Sequence, residues 1–135
     1  MKKIAVIDGQ GGKLGHAVVE AIQAASLSCE TYAIGTNSIA TSAMLKAGAQ
    51  YGATGENPTI VACRDADIII GPIGIISADS MLGEITPAMA VAVGQSKAVK
   101  LLLPVNRCNN RVVGVPNLTL NELVKETVKH LKELC

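Results

Sequence analysis

The stretch KKIAVIDGQGGKLGHAVVEAI, residues 2–22, decides how the rest of the chain is read. Ile4, Ala5, Val6 and Ile7 form an unbroken apolar run that ends at Asp8, a pattern suited to a strand buried on both faces rather than one half exposed to water. Gly9, Gln10, Gly11 and Gly12 follow as a turn, and from Lys13 onward Ala17, Val18, Ala21 and Ile22 recur at helical spacing. A strand, a glycine turn and a helix in that order open a βαβ unit.

The same alternation continues along the chain. Apolar, strand-like runs recur at TYAIG (31–35), ADIIIG (66–71), VKLLLPV (99–105) and RVVGV (111–115), with a weaker one at 50–54. Helical patterns lie between them. TNSIATSAMLKAG has Asn37 as its N-cap and Gly48 past its end, Glu56 and Asn57 start the next helix, and ITPAMAVAVGQS has Thr86 as cap with Pro87 in the first turn. In TLNELVKETVKHLKEL, Leu120, Leu123, Val124, Thr127, Val128, Leu131 and Leu134 share one face. The expectation is an α/β fold in one domain, residues 1–135: a Rossmann-like, doubly wound, mostly parallel sheet of five to six strands with helices on both faces. Three strands are expected to one side of the first and the rest to the other. The last two runs are too close for a crossover helix, so residues 105–111 are read as the turn of an antiparallel edge hairpin.

Composition narrows the function. Twelve basic and eleven acidic residues nearly cancel, and with no Trp, no Phe and two Tyr there is neither a basic footprint nor a stacking platform for nucleic acid. The apolar runs are too short to span a bilayer. MKKIAVIDG starts like a signal peptide, but Asp8 and the glycines end its apolar run early, so the reading is a soluble, cytoplasmic protein. Cys29, Cys63, Cys108 and Cys135 are widely spaced, which speaks for reduced thiols and against a structural zinc site; His16 and His130 have no metal-ligating partner one turn away. Residues 85–96, from Ile85 past Val93, carry no charge. A helix apolar on every side needs cover on both faces, and in a chain this small the second cover is expected from another copy through residues 85–93, making a homo-oligomer.

Phosphate binding is expected at Gly9, Gln10, Gly11 and Gly12, because glycines let a ligand approach the backbone without a Cβ in the way and a helix start presents free N–H groups. The fingerprint G-x-G-x-x-G fits only with Gln10 in the first glycine place, Gly12 in the second and Gly15 in the third. On that alignment Gly12→Val is expected to weaken binding more than folding. NAD sites carry an acid at the end of the second strand, about 20 residues beyond the glycines, for the ribose hydroxyls. Here Thr36, Asn37 and Ser38 occupy that place, so simple NAD specificity is disfavoured and an NADP-like phosphate is the expected guest. Gly71 and Pro72 are expected to face the glycine turn, and Asn106, Arg107 and Cys108 to approach the same crevice. Arg107 could clamp an anion, while Cys108 or Asp8 could act in catalysis. Asp79, Ser80 and Glu84 are weaker candidates for ligand or subunit contacts.

The motifs AVIDGQGG, GTNSIATSAMLKAGA, GATGEN, GPIGIISADSMLGEITPAMA and PVNRCN together resemble a small bacterial family catalogued as a domain of unknown function (DUF3842-like), over most of the chain. The GQGGKLG turn is also similar to the G-G-x-G-x-L-G turns of some NADP- and deazaflavin-dependent proteins, with Gln10 as the departure. The family resemblance implies a compact one-domain protein and brings no activity, so no site residue is carried over from it. The leading expectation is a module binding a nucleotide, NADP-like above others, or another phosphorylated metabolite. Two alternatives stand beside it: an NADP-dependent reductase, transferase or isomerase using Arg107 and Cys108, and a structural oligomer subunit without a ligand.

Overall fold

The computed structural model describes residues 1–105 and 109–135. Five strands, β1 (Lys2–Asp8), β2 (Cys29–Gly35), β3 (Tyr51–Thr54), β4 (Ile68–Pro72) and β5 (Val99–Leu103), alternate with helices α1 (Lys13–Ala24), α2 (Ser38–Lys46), α3 (Glu56–Asp65), α4 (Pro87–Gln95) and α5 (Leu120–Leu134). The sheet order is β3-β2-β1-β4-β5 and every pairing is parallel. This is the doubly wound, Rossmann-like arrangement. Two strands flank β1 on each side, not three on one side and the remainder on the other.

Alternation along β1 divides the core. Ile4 and Val6 point to one face, where they pack with Val18, Val19 and Ile22 of α1, Met44 of α2 and Leu123, Val124 and Leu131 of α5. Ala5 and Ile7 point to the other, where Cys63 of α3 and Met89, Ala90 and Val93 of α4 close over them. Helices thus cover both faces, and the central strands β1 and β4 read as continuous apolar runs because neither of their faces is wet. The caps fall where their residue types demand: Asn37 accepts the Ala40 N–H at the start of α2, Thr86 accepts the Met89 N–H at the start of α4 with Pro87 in its first turn, and Thr119 with Glu122 forms a capping box on α5.

The edge hairpin is not formed among the described residues. Arg111, Val112, Val113, Gly114 and Val115 include no strand, and the Val115 N–H returns to the Val112 carbonyl in a turn through Gly114 at φ +84°. Val113 is almost fully exposed, so no buried face would repay pairing there, and Pro116 just beyond has no N–H to give a ladder. No helix among the described residues is long and apolar enough to cross a membrane.

Candidate functional site

Parallel strands place all their carboxyl ends on one edge, and a crevice opens where the chain leaves β1 for one side of the sheet and later returns to the other as β4. The β1–α1 turn lies at that point. The Gly12 N–H closes it onto the Gly9 carbonyl at 2.9 Å, with Gln10 at φ +50° and Gly12 at φ +75°. Gln10 therefore takes the left-handed backbone that a glycine would take in the fingerprint.

Asp8 organises this turn. Its carboxylate is buried, with Oδ1 accepting the Gly9 N–H at 2.8 Å and Oδ2 accepting the Gly15 N–H at 2.7 Å, so it caps the first turn of α1 from the end of β1. Burial raises its pKa above the ordinary 3.8, against the lowering effect of the two amides. The amides of Gly11, Lys13 and Leu14 donate to no acceptor among the described residues. They border a cavity of about 330 Å³ lined by residues 8–14 together with Val105 and Leu120.

The neighbouring glycines differ in what surrounds them. A Cβ on Gly11 would meet nothing within 4 Å, whereas one on Gly12 would come within 2.8 Å of the Ala40 Cα and one on Gly15 within 2.5 Å of the Met44 Sδ. Gly12 and Gly15 thus let α1 and α2 approach, and Gly11 is the position open to a ligand. Gly12→Val, expected from the sequence to weaken binding more than folding, meets this packing and the positive φ of Gly12, so a large cost to folding is expected and Gly11 becomes the better probe of binding.

Thr36 follows β2 and is held beside the turn by its N–H to the Asp8 carbonyl, 3.0 Å. Its hydroxyl and the Asn37 side-chain amide are not free donors: both are taken by Glu84 from the loop between β4 and α4. Glu84 Oε1 accepts from the Gln10 N–H at 2.8 Å, the Thr36 hydroxyl at 2.5 Å and Asn37 Nδ2 at 2.9 Å, while Asn37 Nδ2 also reaches the Gln10 carbonyl at 3.0 Å. Partial burial raises the Glu84 pKa, but the Gln10 amide, Thr36 and Asn37 together outweigh it and hold the carboxyl below its ordinary value.

Ser38, grouped with Thr36 and Asn37 in the sequence, is exposed and borders a separate groove with His16, Ser42 and Lys46. Gly71 and Pro72 are buried in β4, with Gly71 against the Ile7 carbonyl, and do not line the glycine cavity. Asn106, Arg107 and Cys108 lie outside the described residues. Asp79 sits in the loop that carries Glu84, and the Ser80 hydroxyl is spent on the Gly74 carbonyl. Val105 and Leu120, which wall the cavity from the far side of the sheet order, carry no local signal of that role. Glu84 was legible only through its place after β4, which grouped it with Asp79 and Ser80 as a weaker candidate for a ligand or subunit contact.

A larger groove, about 450 Å³, runs under α3 and is lined by Ala5, Tyr32, Ile34, Val61 and Ala62 among others. It is predominantly apolar, although Lys3, Tyr32, Asn57 and Asp65 also line it, and it lies away from the β1–α1 turn and the amides of Gly11, Lys13 and Leu14. The glycine cavity is therefore the candidate site despite its smaller volume.

A Rossmann-like α/β fold with an open glycine turn at the switch point of its sheet is the class that fold and site define. The chain belongs to the family described as Domain of unknown function (DUF3842), whose match spans residues 3–135. No curated protein matches it. Among solved structures it is similar to a dodecameric FMN-dependent Ubix-like decarboxylase from Escherichia coli O157:H7, at 15% identity and TM-score 0.46, covering 98% of this chain and 95% of that one. It is also similar to a nucleoside-diphosphate-sugar epimerase from Pseudomonas aeruginosa, at 15% identity and TM-score 0.47, covering 96% of this chain and 46% of that one.

Proposed function

We propose that this protein binds a nucleotide or other phosphorylated small molecule, with a phosphate at the amides of Gly11, Lys13 and Leu14. The observation that carries this reading is the open space over Gly11, beside amides with no acceptor among the described residues, at the start of a helix on the carboxyl edge of the sheet. Lys13 adds a cationic side chain at the rim, and Val105 with Leu120 supplies apolar cover. The expected preference for NADP rested on Thr36, Asn37 and Ser38 in the place of an acid; with Thr36 and Asn37 held by Glu84 and Ser38 bordering a separate groove, the proposal is a nucleotide without that restriction.

Thermal unfolding against NAD, NADP, FAD, ATP, GTP, coenzyme A and inorganic phosphate tests it. A ligand at a hundred times its Kd stabilises the fold by about 2.7 kcal/mol, and Gly11→Val should abolish the shift while leaving the unliganded protein folded. No shift with any of these ligands, or the same shift in Gly11→Val, sinks the reading.

The proposal includes a homo-oligomer formed through α4. Met89, Ala90, Ala92 and Val93 bury one side of this helix, and Pro87, Ala88, Val91 and Gly94 leave the other side exposed and uncharged. Val91→Asp should convert the assembly to a smaller species in light scattering; a wild-type protein that is monomeric at high micromolar concentration would refute it.

A further inference from the structure

The Glu84 carboxylate stands beside the glycine cavity, against Gln10 of its turn and against Thr36 and Asn37, where β2 of this chain ends without an acid of its own. The register of β1 with β2 pairs Asp8 with Gly35, so the turn after β1 and Thr36 and Asn37 after β2 lie side by side. Glu84 enters between them from a different part of the chain, with Gln10, Thr36 and Asn37 all donating to Oε1. Among the described residues no donor reaches Oε2, which leaves that oxygen able to accept from a ligand.

The surroundings are shaped to this carboxylate. A Cβ on Gly9 would come within 2.7 Å of Glu84 Oε1 and 2.8 Å of Met81 Cε, so Gly9 is small where Glu84 needs to approach. The loop that presents Glu84 holds Asp79, Met81 and Leu82 at φ +64°, +57° and +57°, an arrangement unfavourable for each of them and kept in place by surrounding contacts. Met81 is buried, the Ser80 hydroxyl donates to the Gly74 carbonyl, and the Asp79 N–H donates to the Ile85 carbonyl at 2.7 Å.

We infer that Glu84 is the specificity-determining residue of the site and accepts hydrogen bonds from a ribose 2′,3′-diol, so that the ligand is a nucleotide with an unmodified ribose rather than a 2′-phosphorylated one. The inference rests on the proposed phosphate site at Gly11. A carboxylate oxygen can accept only, which suits two hydroxyls and repels a phosphate. The three donors fix its position before a ligand arrives, so little ordering is needed on binding.

The test compares NAD with NADP, and ADP with 2′-deoxy-ADP, by calorimetry on the full chain and on Glu84→Gln. The amide oxygen of the variant can still accept from Gln10, Thr36 and Asn37, so the loop should stay in place while the charge is lost. Wild type is expected to favour NAD over NADP, and ADP over its deoxy analogue, by about tenfold or more, as a hydrogen bond to a charged group implies. In Glu84→Gln the NAD-to-NADP ratio should fall by a similar factor, a change in preference that a purely structural role would not produce. Glu84→Ala gives a second control. If it binds NAD, NADP and pyrophosphate all more tightly than wild type, Glu84 is an occupant that the ligand displaces, and the inference is overturned. Equal binding of NAD and NADP by wild type overturns it too, while leaving the phosphate site standing. Failure of wild type to bind any of these ligands counts against both.

Discussion

The β1–α1 turn and the loop of residues 77–84 meet at one carboxylate, and they bend the backbone by different means. The turn divides its two left-handed positions between a glycine, Gly12 at φ +75°, and Gln10 at +50°. The loop places Asp79, Met81 and Leu82 in the left-handed region before Gly83 at φ +86°. A left-handed conformation costs a non-glycine residue on the order of 1–2 kcal/mol. Leu82 is 96% exposed and returns nothing by burial, so Met81 and the hydrogen bonds of Ser80 and Asp79 must hold the path. A turn rich in glycine is thus marked in the sequence by composition, whereas a loop with three non-glycine residues in the left-handed region is not.

The largest expected effect falls on the turn. Gly12→Val puts a branched side chain against the Ala40 backbone at a positive φ, and should lower stability by about 3 kcal/mol or more in urea unfolding. Wild-type stability in that variant would remove the distinction between Gly12 as packing and Gly11 as site.

A smaller effect is expected where the two segments join. Glu84→Ala loses the acceptor for Gln10, Thr36 and Asn37, about 1–2 kcal/mol at neutral pH once its partial exposure is considered. Because the folded pKa of Glu84 lies below the ordinary 4.5, its ionised form stabilises the fold above that value, and this is lost as pH falls through the lowered folded pKa. The gap between wild type and Glu84→Ala should therefore be full at pH 7 and close in acid. Asp8 has the opposite sign: its raised pKa favours the fold below 3.8, and that contribution is lost as pH rises through the folded value. A gap unchanged by acid would mean that the charge of Glu84 plays no part in joining turn to loop.

The smallest effect on folding sharpens the contrast most. Gly11→Val should leave stability within about 0.5 kcal/mol of wild type, because nothing surrounds that position, and yet remove the ligand-induced shift. Destabilisation comparable to Gly12→Val would show that both glycines serve packing.

Much of the architecture was legible because it follows from local patterns. Largely apolar runs marked β1, β2, β4 and β5, and Asn37, Thr86 and Pro87 marked helix starts that the structure retains. RVVGV misled because its apolar residues satisfy a strand pattern, while forming a strand requires a partner and a buried face, neither of which a short window reveals. The site was legible only in part for a similar reason. Glycines at 9–12 located the turn, but which of them packs and which lies open depends on Ala40 and Met44 in α2, far along the chain.

The sequence by itself determined a parallel α/β domain and the position of its glycine turn, since strand burial, helix periodicity and capping are set by residues near one another. Only the tertiary structure decided that Gly11 faces open space, that Asp8 caps α1, and that Glu84 lies against Gln10, Thr36 and Asn37. Gln10 and Glu84 are separated by 74 positions. What brings them together is the winding of the sheet, which carries β4 back to the side of β1, and no local pattern encodes that distance.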